Sequence, residues 1–335
     1  MNFTEAGVFQ KQQIRIVNLL PEIGIEQIRK EILQGLTGRE KYISSKFFYD
    51  HTGSHLFEEI THQPEYYPTR TEKSILKQIA PELMNNGNSS MEVIELGSGD
   101  CTKISILFEA VEKPTLEHLD YLPLDVSESA IQKSAGELSQ IYPYLKINGF
   151  VADFMHQLDE IPHPDKPRLI CFFGSTIGNF NMEDAKKIMK SIAKGVQPGV
   201  ALLVGFDLVK PGEILSAAYN DAKGITLKFN KNILNSVNHI IASDFKEDDF
   251  DHFAYFNVEK SRIEMHLIAN KNCTVKSSFL GEPLHFKKGD GIHTENSNKF
   301  SVNDIEKLIE DSELKVEKIY TDPKNWFALV KFVTA

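Results

Sequence analysis

Three places along the chain bring together residue types that suit one kind of chemistry. In EVIELGSGDCTK, Gly97 and Gly99 would let the backbone run close to a ligand, because a residue without a Cβ tolerates positive φ and leaves room beside it. About 25 residues further on, Asp125 in LPLDVS can accept hydrogen bonds from both hydroxyls of a ribose. Asp153-Phe154 then offers an acceptor for an adenine amino group and a ring that can stack on the base. Together the three features specify an adenosine-containing ligand. NAD and S-adenosylmethionine both carry that nucleoside, but Thr102 stands where GxGxxG needs its third glycine. S-adenosylmethionine needs no pyrophosphate cradle, so the shorter motif suits it better. A GxG alone also occurs in ordinary tight turns, so the weight rests on all three features following consecutive strands.

The elements that must position these residues follow from hydrophobic periodicity. Helical spacing runs from Thr71 to Leu83 and ends at Asn85-Asn86-Gly87-Asn88. A strand is expected at Met91–Leu96, and a helix over Thr102–Val111 follows the glycine turn. Strands are expected at Tyr121–Val126, Gly149–Asp153, Arg168–Phe173 and Val200–Phe206, with helices over Ser129–Ile141 and Met182–Val196 between them. Such alternation implies an α/β fold with a mainly parallel sheet covered on both faces. Lys315–Thr321 and Trp326–Val333, joined by Asp322-Pro323-Lys324-Asn325, read as a terminal antiparallel hairpin. The resulting seven strands are the count and ending of a class I Rossmann-like methyltransferase sheet. Two regions fall outside this pattern, residues 1–69 and about 210–299. They are expected to form a second, substrate-binding α+β domain over the carboxyl ends of the strands, leaving 70–209 plus 300–335 as the cofactor-binding domain.

Composition narrows the partners. The 335 residues carry a formal net charge of −10 and no stripe of Lys and Arg, which argues against nucleic acid and for a small-molecule substrate. Cys101, Cys171 and Cys273 stand far apart with no CxxC, giving neither a disulfide framework nor a zinc site and fitting a reducing cytoplasm. No export signal or membrane span is expected. His51, His55 and His62 have no carboxylate at a metal-ligand spacing, so no metal is expected. Glu247-Asp248-Asp249-Phe250-Asp251 lacks the glycine and closing glutamate of a calcium loop and reads as solvated surface, while Gly291-Ile292-His293 reads as a loop. By themselves Tyr49, Tyr66 and Tyr67 read as core tyrosines and Met265 as core filling.

Six segments change that reading: FFYDHTGSHLFEEITHQPEYYPTRTE (47–72), IELGSGDCTK (94–103), FFGSTIGNF (172–180), AYNDAKGITLKFNKNIL (218–234), RIEMHL (262–267) and TENSNKF (294–300). In kind and order they resemble the L-histidine Nα-methyltransferases of ergothioneine biosynthesis, which convert histidine to its trimethylated betaine, hercynine. The resemblance runs from about residue 15 to the end. It implies that Tyr49 and Tyr66 face the substrate, that Asn179 and Tyr219 hold the α-carboxylate, and that Gly174 lies beside the amino group. It implies further that Glu295 and Ser297 read the imidazole with Met265 packed nearby, and that Gly97, Lys103, Asp125, Asp153 and Phe154 bind S-adenosylmethionine. The resemblance also implies that the chain can act as a monomer. The sequence departs from the family at Asn296, where a small apolar residue is usual, and at Asn298, where a cysteine is. In an extended segment both would point away from the ligand, leaving Glu295 and Ser297 on one face.

Methyl transfer to an amine needs a neutral nitrogen held in line with the methyl carbon, so Tyr49, Asn179 and Tyr219 are the expected catalytic positions, acting chiefly by orientation. The proton acceptor stays open between water and Tyr49. Glu295 and Ser297 would lose their partners if an apolar amino acid entered, which supplies selectivity. A relative methylating another amino acid or an indole amine, and a catalytically silent S-adenosylmethionine-binding module, are the competing functions. Retained Glu295 and Met265 speak against the first, and the intact substrate positions against the second.

Overall fold

A computed structural model describes residues 14–20, 24–84, 90–162, 166–196 and 198–335. The expected helix stop at Asn85–Asn88 lies outside the described residues.

The larger sheet has eight strands, in the order Ile14–Asn18, Lys146–Val151, Leu119–Asp125, Met91–Leu96, Arg168–Phe172, Val200–Asp207, Phe327–Thr334, Leu314–Thr321. The first six are parallel; Phe327–Thr334 runs antiparallel to them, and Leu314–Thr321, antiparallel to its hairpin partner, runs in their direction again. The central strands MEVIEL and RLICF are almost continuously buried, as strands covered on both faces must be. Apolar residues fill a core on each face: Ile188, Met189 and Ile192 of the helix Met182–Lys194 on one, and Ile75, Leu76 and Ile79 of the helix Tyr67–Met84 on the other. Chain order reverses between Met91–Leu96 and Arg168–Phe172, so the ends of these two strands frame the crevice where open α/β sheets take ligands.

Seven of these strands follow the sequence reading to within a few residues; the eighth does not. Ile14–Asn18 belongs to a segment expected to stand outside the sheet, yet it pairs in parallel with Lys146–Val151, Ile14 opposite Ile147 and Val17 opposite Phe150. Without it the backbone groups of Lys146–Val151 would form an open edge, and IRIVN supplies the β-branched residues that cover one.

The second sheet orders Lys41–Tyr42, Gly291–Asn298, Arg262–Ala269 and Phe250–Asn257. Gly291-Ile292-His293 opens a strand here rather than a loop, because Ile292 is buried opposite Leu267. A third apolar core joins this sheet to the helices Ile25–Thr37 and Ile225–Ile241 and includes Tyr66, Tyr67, Tyr219 and Met265. Among the described residues no helix is long and apolar enough to cross a membrane.

Candidate active site

The first half of the site lies at the end of Met91–Leu96. Gly97 and Gly99 both have positive φ, at 65° and 47°, and nothing lies within 4 Å of where a Cβ on Gly97 would be. The turn is tied to the neighbouring strand by Gly97 N donating to Leu124 O at 2.8 Å, and Gly99 N donates to Asp125 Oδ2 at 3.1 Å. Asp125 also accepts from Ser127 N at 2.9 Å. Burial pushes its carboxyl above the ordinary value, against the pull of these backbone donors. Ser98 is buried next to the turn, and its hydroxyl has no partner among the described residues. Open space beside Gly97, an unpartnered hydroxyl and a carboxylate at the next strand end fit the nucleoside part of S-adenosylmethionine. Phe154 packs its ring edge-on against Phe172, while Asp153 accepts from Met155 N and contacts His156 Nδ1.

Gly174 joins this half to the next. It has φ 77° just past Arg168–Phe172, and a Cβ there would meet Lys103 Nζ at 3.0 Å. Its N–H donates to both oxygens of the fully buried Glu72, at 2.8 and 3.0 Å, and Lys103 Nζ sits 2.8 Å from the same carboxylate. Burial alone would push Lys103 down, but Glu72 overrides it and holds the ammonium above its ordinary value. Glu72 carries no obvious signal in the sequence beyond its place at the end of the 47–72 segment, because only the fold brings it to Gly174, 102 residues away.

The second half gathers side chains from four separate stretches. Asp50 caps the helix His51–Thr61 by accepting from Gly53 N at 2.7 Å and accepts from Asn232 and Ser236 at 2.9 Å each, which fixes the preceding Tyr49. Tyr49 is 42% exposed, and its phenol group is surrounded by other polar side chains of the site. Burial, reinforced by the Glu295 and Tyr219 side chains and Asp125, pushes the phenol well above its ordinary range. Tyr66 packs edge-on against Tyr219, with ring centroids 6.4 Å apart, and is likewise pushed up by burial and by Tyr219. Glu295 and Ser297 come from one face of Gly291–Asn298, and Met265 is the cross-strand partner of Glu295. Burial raises Glu295 to about 7, with Lys299 pulling the other way.

Asn298 points to the opposite side, as alternation requires, and fastens the two halves together. Its Nδ2 donates to Gly178 O at 2.8 Å and Phe180 O at 2.6 Å, either side of Asn179. The Asn179 amide itself makes no hydrogen bond among the described residues, which leaves it available to a ligand. Of the expected substrate residues, Tyr219 Oη donates to Ser297 Oγ at 2.7 Å, and Tyr66 packs against Tyr219.

Sequence reasoning missed a buried charge cluster beneath it. Asp207, at the end of Val200–Asp207, accepts from Tyr67 Oη at 2.7 and 2.8 Å, from Lys299 Nζ at 2.8 Å and from Lys210 Nζ. Burial would raise Asp207, but Lys299 and Lys210 hold it below its ordinary value. Burial lowers Lys210 to about 8, whereas Asp207 keeps Lys299 up at about 12. Lys299 could have been found from TENSNKF, since it shares the face of Glu295 and Ser297.

A turn at the switch point that fits an adenosyl group, facing a cluster of tyrosines, an amide and a carboxylate, defines the class as an S-adenosylmethionine-dependent methyltransferase with a small-molecule substrate. Comparison with known proteins narrows it. The profile of the family described as histidine-specific methyltransferase, SAM-dependent, matches residues 28–334, and the chain belongs to that family. It is 36% identical to a histidine N-alpha-methyltransferase of Mycolicibacterium smegmatis over 93% of this chain and 96% of that one. It is 31% identical to ergothioneine biosynthesis protein 1 of Schizosaccharomyces pombe over 83% of this chain but 37% of that longer one. A 4-dimethylallyltryptophan N-methyltransferase of Claviceps purpurea is 24% identical over 89% of this chain and 92% of its own.

Proposed function

We propose that this histidine methyltransferase acts on the α-nitrogen of L-histidine three times in succession, by way of the mono- and dimethyl forms, and releases hercynine. The observation that carries the reading is the clamp made by Asn298, which joins the Asn179 loop of the cofactor half to the strand bearing Glu295 and Ser297. An amino acid held by its carboxylate at Asn179 and by its ring at Glu295 and Ser297 would present its nitrogen beside Gly174. Tyr49, Tyr66 and Tyr219 would wall the space between, and Met265 would pack beside the ring.

When bound, S-adenosylmethionine supplies a methyl group on a cationic sulfonium; Gly97, Lys103, Asp125, Asp153 and Phe154 are the residues proposed to hold it. The remaining contribution of the chain is positioning, since an anchored carboxylate and ring leave the amine few directions. The amine must lose a proton before each transfer. Burial pushes the Tyr49 phenol up, which favours its protonated form; its oxygen would then accept a hydrogen bond from the amine, with water as the proposed proton acceptor. In the same reading 24–69 plus 210–299 form the substrate-binding unit, and the enzyme works as a cytoplasmic monomer.

The test is mass spectrometry of the purified protein incubated with S-adenosylmethionine and a panel of amino acids. Histidine should gain one, two and then three methyl groups, and its product should match synthetic hercynine. Arrest at a single methyl group, or preferential methylation of an indole amine, would overturn the reading.

A further inference from the structure

We propose that Lys299 is a positioning residue that turns Ser297 into a hydrogen-bond donor, so that the site accepts histidine through the lone-pair nitrogen of a neutral imidazole. The inference rests on the reading of Glu295 and Ser297 as the ring contacts and specifies which form of the ring they take.

Lys299 follows Ser297 by two residues, and in extended backbone their side chains share a face. Its buried ammonium donates to Ser297 Oγ at 2.8 Å, to Asp207 Oδ2 at 2.8 Å and to Tyr219 Oη at 3.3 Å, so all three protons are engaged. Asp207 is itself fixed by Tyr67 and Lys210, which holds the ammonium in place. A serine hydroxyl has two lone pairs and one proton. Lys299 fills one lone pair. Tyr219, 2.7 Å away, fills the other, because a phenol is a stronger acid and a weaker acceptor than an aliphatic hydroxyl. The ammonium also lies closer to the serine oxygen than to the phenol oxygen, as expected when serine is the better acceptor.

What remains on Ser297 is its proton. Between them the two hydroxyls therefore offer a ligand one donor, and it is the serine's; Tyr219, expected from the resemblance to hold the α-carboxylate, then keeps no proton for it, and that contact falls to Asn179. A ring nitrogen meeting the serine proton must carry a lone pair, while Glu295 takes the N–H of the other nitrogen. An imidazolium would set N–H against O–H, donor against donor. The titratable groups around this point are Glu295 and Lys299 on the serine's own segment, Tyr219 after the helix Gly212–Ala218, Asp207 and Lys210 at the end of Val200–Asp207, and Tyr49, Tyr66 and Tyr67.

The test is calorimetric titration of the full chain, with S-adenosylhomocysteine present, with L-histidine, β-(pyrrol-2-yl)alanine and β-(pyrrol-3-yl)alanine. The pyrroles keep a ring N–H at one position or the other and have no lone-pair nitrogen. The unaltered protein should bind both at least about tenfold more weakly than histidine, the loss expected when a buried donor goes unpaired. Lys299→Met and Tyr219→Phe each return a lone pair to Ser297, so in either variant the gap between histidine and the better pyrrole should shrink to about threefold or less. A pyrrole bound as tightly as histidine by the unaltered protein overturns the proposal, as does a gap unchanged in both variants. Should Lys299→Met fail to fold by circular dichroism, Tyr219→Phe and the unaltered protein decide between the outcomes. Failure of the underlying reading looks different: Glu295→Ala and Ser297→Ala would both leave histidine affinity unchanged.

Discussion

Glu295 is the side chain whose protonation bears most directly on substrate capture. Half-buried and raised to about 7, its carboxyl is protonated below that pH and cannot accept an imidazole N–H; above it the carboxylate can. Histidine affinity should therefore strengthen as pH rises through about 7. Glu295→Gln should weaken binding about tenfold and flatten that limb, leaving only the titration of the ligand's own imidazole near about 6.5. Calorimetry across this pH range checks both, and an identical profile in the variant would remove Glu295 from ring recognition. The roles proposed for Glu295 and Ser297 came from the resemblance, and their two-residue spacing in TENSNKF put them on one face of the strand. Glu72 and Asp207 were not legible, since an isolated acidic residue says nothing until its partners arrive: Gly174 and Lys103 for one, Tyr67, Lys210 and Lys299 for the other.

The elements that present the tyrosines depend on tight local packing. Gly53 sits in the first turn of His51–Thr61, where a Cβ would lie 1.7 Å from the Phe48 carbonyl oxygen, a backbone atom that cannot rotate away. Gly53→Ala should cost about 1–3 kcal/mol by denaturant unfolding. Because Tyr49 lies between these two residues, KM for histidine should rise in the same variant. A variant with unchanged stability and KM would show that the turn does not govern Tyr49. At this scale the sequence located helices and parallel strands well, because their apolar periodicity is local. It failed on Ile14–Asn18, whose assignment depends on an edge about 130 residues away. It also missed the strand character of Gly291–His293, where Ile292 earns its place only by packing opposite Leu267.

For the whole molecule, Glu95 makes stability depend on pH. It is buried in the central strand, and burial raises it to about 8 even though Tyr121 Oη donates to it at 2.6 Å and Lys103 lies near. Between its unfolded value of about 4.5 and that figure, the folded state binds the extra proton, so stability should fall as pH rises through the window. Glu95→Gln keeps an acceptor for Tyr121 without the charge. It should raise stability by about 1–3 kcal/mol at the alkaline end and little at the acid end. Thermal melts at both ends test this, and an equal gain at both would assign the effect to packing instead. From the sequence alone came the α/β class, the candidate cofactor turn and, through the resemblance, the family and the pair proposed to read the ring, because each rests on patterns that are local in the chain. The tertiary structure alone decided how the hydrogen bonds are polarised. Whether Ser297 donates or accepts depends on Lys299, Tyr219 and Asp207 converging from distant strand ends, and no local pattern in the chain encodes that meeting.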